Sequence, residues 1–215
     1  MNTVKILLIV SAIIGYLLGS ISSAVILSKL VSGKDIRDEG SGNAGATNML
    51  RTHGKKMGVL TLLFDALKGV LAILAGRFLG NFIDNEFFAK MLPLIAGFFV
   101  ILGHNFPVFF GFRGGKGVAT SLGVILTLNY KVALFVAVIA ILIMAVTRYV
   151  SLGSVLAGVL YVIFDLAYMY FTDTFYYPEL IFAVLIGLLV IIRHHENIKR
   201  LKNGTERKLG QKKEN

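Results

Sequence analysis

No cysteine occurs among the 215 residues, and proline occurs only three times. Without Cys there is no disulfide scaffold, no thiolate nucleophile, no thioester intermediate and no Cys-ligated zinc or iron–sulfur site. So little Pro, with no low-complexity tract, excludes a disordered or collagen-like chain. Charge is scarce as well: 16% of residues are Asp, Glu, Lys or Arg, against about a quarter in soluble domains. What fills the chain is apolar, with 56% hydrophobic residues and a mean hydropathy of +0.76. A single soluble core of this size cannot absorb that much apolar surface, so the composition points to an integral membrane protein. The net charge of +10 would suit nucleic acid. The basic residues lie between and after apolar spans, however, as the positive-inside rule expects, and no nucleic-acid partner is expected.

A bilayer core about 30 Å thick needs roughly 20 helical residues to cross it. Seven apolar stretches qualify: residues 4–31, 57–80, 87–103, 118–130, 132–147, 151–171 and 178–192. The third, fourth and seventh are short, which suggests that the Gly-rich loops beside them dip into the membrane. Lys5, Arg77, Lys90 and Lys131 fall on one side and Lys68 lies inside a span. All other Lys and Arg fall on the opposite side, which the rule places in the cytoplasm. The expectation is an all-α integral membrane protein of seven transmembrane helices, N-terminus outside and C-terminus cytoplasmic. It divides into a membrane domain over residues 1–193 and a basic cytoplasmic tail over 194–215. The first span is too long for a cleaved signal peptide and no A-x-A site follows it. Its Gly15-x-x-x-Gly19 and Gly19-x-x-x-Ser23 spacings predict close helix packing.

Three polar clusters fall on the side expected to be cytoplasmic. The first runs Gly40-Ser-Gly-Asn-Ala-Gly-Ala-Thr-Asn48, followed by Arg51. It matches G-x-G-x-x-G formally but has no strand before it, so it is not a dinucleotide loop. Small residues expose backbone N–H groups there, Ser41, Asn43, Thr47 and Asn48 add donors, and Arg51 offers a bidentate cation for phosphate. The second holds Arg113-Gly-Gly-Lys-Gly117. Gly114, Gly115 and Gly117 let a ligand approach the backbone between Arg113 and Lys116, just before a helix whose N-terminus attracts anions. It is not a Walker A loop, because Gly follows Lys116. The nearby Phe106, Phe109, Phe110 and Phe112 form either an interfacial aromatic belt or the flanks of an acyl-chain site. The third is Arg193-His-His-Glu-Asn197, where His194 and Asn197 share a helix face. Each cluster also has a plainer reading: a tight connector, a positive-inside anchor and a basic helix end. His104, His194, His195 and Glu196 match no standard ligand spacing, so no metal is expected.

Asp65 and Lys68 lie within the second span at i,i+3 spacing and are expected to pair. The pair is either structural or part of the site lining. Asp165, in the sixth span, is an acid without a partner visible in sequence.

In order along the chain, Gly19-Ser20, the first cluster with Arg51, Asp65-Ala-Leu-Lys68-Gly69, His104-Asn-Phe-Pro107, Phe112-Arg-Gly-Gly-Lys-Gly-Val-Ala119 and His194-x-x-Asn197-Ile198-x-Arg200-Leu201 resemble the bacterial acyl-phosphate:glycerol-3-phosphate acyltransferase family. The resemblance covers essentially the whole chain; Ala44 stands where many relatives carry Pro. It implies a multi-pass protein of the bacterial cell membrane with its active site on the cytoplasmic face. It implies transfer of a fatty acyl group from acyl phosphate to the 1-hydroxyl of sn-glycerol 3-phosphate, giving lysophosphatidic acid and inorganic phosphate for phospholipid synthesis. No cofactor is implied. Carried over by motif, Ser41, Arg51, Lys116, His194 and Asn197 form the catalytic set. Gly42, Asn43, Thr47, Asn48, Arg113, Gly114, Gly115 and Gly117 would then bind substrate phosphate, with Asp65, Lys68, His104 and Asn105 as candidates to support them. The partners are the two substrates, membrane lipid and, as a candidate, the enzyme that makes acyl phosphate. None of the four His residues begins a His-x-x-x-x-Asp pair of the kind used with soluble acyl donors. The alternative is an organophosphate transporter, which would need polar access from outside, whereas the outer loops are short and acidic.

Overall fold

The computed structural model describes residues 2–211; Met1 and residues 212–215, the end of the expected basic tail, lie outside the described part. Among the described residues the regular structure is helical: α1 (Asn2–Ser20), α2 (Ser23–Ser32), α3 (Ala46–Gly80), α4 (Glu86–Asn105), α5 (Val118–Leu128), α6 (Tyr130–Thr147), α7 (Val150–Phe171), α8 (Tyr177–Arg193) and α9 (His195–Lys202). Short 3-10 turns at Ile36–Asp38 and Val108–Phe110 shape the two long loops. The chain forms two compact units that meet in sequence between Asn129 and Tyr130.

In the first unit, α1 lies along α4 and α3 packs on both α4 and α5. The close approach has a plain cause. A β-carbon at Gly15 or Gly19 would strike the Ala96 or Val100 carbonyl of α4, and one at Gly123 of α5 would strike the Ala66 carbonyl of α3. Backbones in lipid come together through such small residues, because apolar side chains gain little by leaving lipid for protein. Ser11 adds a hydrogen bond to the Leu92 carbonyl at 2.7 Å. In the second unit α7 packs on α6 and on α8. Phe135 meets Phe164 edge-on, and Gly158 and Gly187 face each other across α7 and α8.

The apolar stretches become helices that differ in detail from the expected spans. The first is broken at Ile21 and Ser22, between α1 and α2. The second begins earlier than expected, because the helix starts at Ala46 and takes in Thr47, Asn48 and Arg51; Gly54, at φ 82° and ψ 179°, then interrupts it. Among the described residues, five segments are long and apolar enough to cross a membrane, or six if α8 and α9, bent by 58°, count as one. The remaining apolar helix, α5, has only 11 residues.

Candidate active site

The first loop is built around Asn48, which is buried at the start of α3. Its amide nitrogen donates to the Ile36 and Glu39 carbonyls at 3.1 and 3.0 Å, and its oxygen accepts the Ser41 N–H at 2.9 Å. These three bonds fold residues 36–41 back onto the helix, so Asn48 shapes the loop. Ser41 and Gly42 are exposed on it, and Asn43, Thr47 and Arg51 are half-buried. Arg37, which the motifs did not single out, ties this loop to the second. It forks onto Asp35 at 2.8 and 2.9 Å and donates to the Phe110 and Arg113 carbonyls. The hydrogen bond from Arg37 holds the Asp35 carboxyl below the usual carboxylate range, against the opposing effect of burial.

The second loop is seated on His104 and on the first loop. The Gly115 N–H donates to the His104 carbonyl at 3.1 Å. A β-carbon at Gly115 would collide with His104 Nε2 and come within 2.6 Å of the Ala44 carbonyl oxygen. Gly115 is therefore where the loop carrying Ser41 meets the loop carrying Lys116. Gly117, at φ 82°, turns the chain into α5 against Asn105. The side-chain nitrogen and oxygen of Asn105 and the hydroxyls of Thr120 and Ser121 are buried with no hydrogen-bond partner among the described residues. Buried polar groups in native proteins are nearly always satisfied by protein, water or ligand, and these three lie beside the N-terminus of α5, which favours negative charge. Arg113 is exposed and Lys116 half-buried.

Beneath this, Asp65, Lys68 and His104 meet inside the unit. Lys68 Nζ lies 3.0 Å from Asp65 Oδ1 and 2.9 Å from His104 Nδ1. The expected i,i+3 ion pair is thus present, with His104 from another helix as a third member.

In the second unit, His194 sits at the bend between α8 and α9, and its Nδ1 contacts the Val190 carbonyl at 2.8 Å. A carbonyl only accepts, so Nδ1 carries a proton there. Asn197 on α9 donates to Glu206 Oε1 at 2.7 Å, as does Ser151, while Arg200 donates to Oε2 at 2.7 Å. Glu206 was not singled out by the motifs; an acid buried among a run of basic residues was the available signal.

Fold and site together define a multi-pass helical membrane protein with two cation-bearing, Gly-lined loops held against one another. The chain belongs to the glycerol-3-phosphate acyltransferase family, whose sequence profile matches residues 9–204. A glycerol-3-phosphate acyltransferase of Clostridioides difficile (strain 630) is 46% identical over 210 residues, covering 96% of this chain and 97% of that one. Another, from Shouchella clausii (strain KSM-K16), is 48% identical over 207 residues, covering 95% and 97%. The crystal structure of PlsY (YgiH), an integral membrane glycerol 3-phosphate acyltransferase, in its glycerol 3-phosphate form superimposes with a TM-score of 0.83 at 41% identity, covering 94% of this chain and 96% of that one. Its lysophosphatidic acid form gives 0.79 at 40% identity, covering 94% and 95%.

Proposed function

We propose that this protein transfers a fatty acyl group from acyl phosphate to the 1-hydroxyl of sn-glycerol 3-phosphate, at the cytoplasmic face of a bacterial membrane. The observation that carries the reading is the convergence of the two loops on Gly115, beside three buried polar side chains with no hydrogen-bond partner among the described residues. That arrangement suits phosphate, which offers acceptor oxygens to Asn and hydroxyl donors, to Gly-lined backbone and to cations. Both substrates carry one.

The glycerol 1-hydroxyl oxygen attacks the acyl carbonyl carbon, the bond from that carbon to the phosphate oxygen breaks, and inorganic phosphate leaves. The hydroxyl proton passes to a phosphate oxygen, so no acyl-enzyme forms and no side-chain base is required. Arg51, Lys116 and Arg113 hold phosphate charge, and Ser41, Asn43 and the backbone around Gly42 and Gly114 orient oxygens. By the motif resemblance alone, His194 and Asn197 complete the catalytic set. The chain then works by positioning and by stabilising charge that develops in the transition state.

Purified protein in detergent, given acyl phosphate and glycerol 3-phosphate, should release inorganic phosphate and lysophosphatidic acid one to one. Acyl-coenzyme A and acyl carrier protein should give little or no product, because the chain has neither a His-x-x-x-x-Asp pair nor a Cys to accept a thioester acyl group. Comparable rates with acyl-coenzyme A would overturn the donor assignment.

A further inference from the structure

The charge at the centre of the first unit is arranged for more than neutralisation. Asp65, Lys68 and His104 are nearly sealed from solvent, their side chains 2%, 7% and 6% exposed. Lys68 Nζ donates to the Gly19 carbonyl at 3.1 Å and the Ile21 carbonyl at 3.0 Å, and contacts His104 Nδ1 at 2.9 Å. An ammonium has three hydrogens, and these are three acceptors. Asp65 Oδ1, 3.0 Å from Nζ, supplies the counter-charge.

That geometry decides the state of the imidazole. An ammonium has no lone pair to offer, so His104 Nδ1 must accept, and the ring proton belongs on Nε2. Asp65 Oδ1, at 3.5 Å from Nδ1, is the weaker neighbour. Nε2 faces the α-carbon of Gly115, next to the Ala44 carbonyl oxygen, where the two loops touch. The other polar handle of His104, its carbonyl, holds the Gly115 N–H.

We infer that Lys68 is a positioning residue for the acyltransferase site: it holds His104 as the neutral Nε2–H imidazole, and that ring seats Gly115 against Ala44 and so sets the loops that carry Lys116 and Arg51. The inference rests on the reading that those loops hold substrate phosphate. A purely structural ion pair would need only balanced charge, and would be indifferent to which ring nitrogen is protonated.

Nitrogen-15 spectroscopy of the whole protein, labelled at its four His residues, reads the tautomer directly, with His104→Gln assigning the signal. At neutral pH, His104 should show a bare Nδ1 and a protonated Nε2; an imidazolium or a protonated Nδ1 overturns the inference. The second arm is the double variant Asp65→Asn/Lys68→Met, which removes both buried charges and keeps the balance. His104 should then lose its single tautomer, and kcat should fall at least tenfold with the protein still folded, since small misplacements of binding groups cost rate steeply. Wild-type turnover in that variant overturns the inference; if the variant does not fold, the wild-type spectrum decides. A wild-type protein inactive with acyl phosphate overturns the functional reading, whereas the wrong tautomer in an active protein overturns only the role of Lys68.

Discussion

Asn197 donates its side-chain N–H to Glu206 Oε1 at 2.7 Å, and because an ionised carboxylate only accepts, this one contact fixes which way the amide points. The nitrogen is committed to Glu206, so the orientation of the amide oxygen is set as well. Ser151 and Arg200 share the same carboxylate, which ties the start of α7 to α9 and to the segment after it.

The first prediction follows from that carboxylate. Burial pushes the Glu206 carboxyl up, but hydrogen bonds from Arg200, Ser151 and Asn197 outweigh it and hold the group below the usual range. Its stabilisation is complete above the pH at which an unfolded Glu ionises, about 4.3, and is lost as pH falls through the lower folded value. Thermal unfolding in detergent should therefore show wild-type stability declining between about pH 5 and 3 more steeply than that of Glu206→Gln. Glu206→Ala, which strands three donors, should cost about 3 kcal/mol at neutral pH. Equal acid sensitivity of wild type and Glu206→Gln would refute the assignment.

Lys116→Ala tests phosphate recognition. Loss of a charge-assisted contact is worth about 1.5–3 kcal/mol, so activity should fall at least tenfold with folding retained. Lys131→Ala, at the start of α6, serves as control and should change little. Equal losses from the two would reduce Lys116 to a membrane anchor.

Gly115→Ala tests the meeting of the loops. The added methyl has to displace His104 Nε2 or the Ala44 carbonyl. Overpacking of this kind costs about 1–3 kcal/mol, and turnover should fall more than tenfold. Wild-type turnover in that variant would show that the loop contact does not matter.

Orientation can be read by thiol labelling, since the chain has no Cys of its own. In intact cells Lys55→Cys and Lys202→Cys should resist an impermeant reagent, and Asp84→Cys should react. The reverse pattern would put the loops on the outer face.

Asp165 is fully buried in α7 and neither of its oxygens has a hydrogen-bond partner among the described residues. An orphaned buried polar group costs about 1–3 kcal/mol. Asp165→Ala should therefore raise the unfolding temperature despite the small cavity it leaves. A clear drop would mean that the carboxyl is paired in the membrane.

The sequence carried the helical class because apolar runs of membrane length leave few other solutions. It carried the Asp65–Lys68 pair because both residues lie on one helix at a spacing that brings side chains together. It did not carry His104 as the third member, since that contact depends on how α4 docks on α3. Glu206 was hidden for a similar reason: local composition marks its surroundings as a basic tail, and only the return of the chain to Ser151 and Asn197 makes it a buried hub. The early start of α3 was missed because a Gly-rich polar string reads as loop, while capture of Asn48 by the Ile36 and Glu39 carbonyls depends on the chain folding back.

The bond from Lys68 to the Ile21 carbonyl joins residues 47 apart in sequence. During synthesis, α1 and α2 leave the ribosome well before their cation does. Until Lys68 arrives, the carbonyls freed at the break need another donor, and lipid offers none. The break at Ile21 and Ser22 is thus supported by a contact that forms only once α3 is in place.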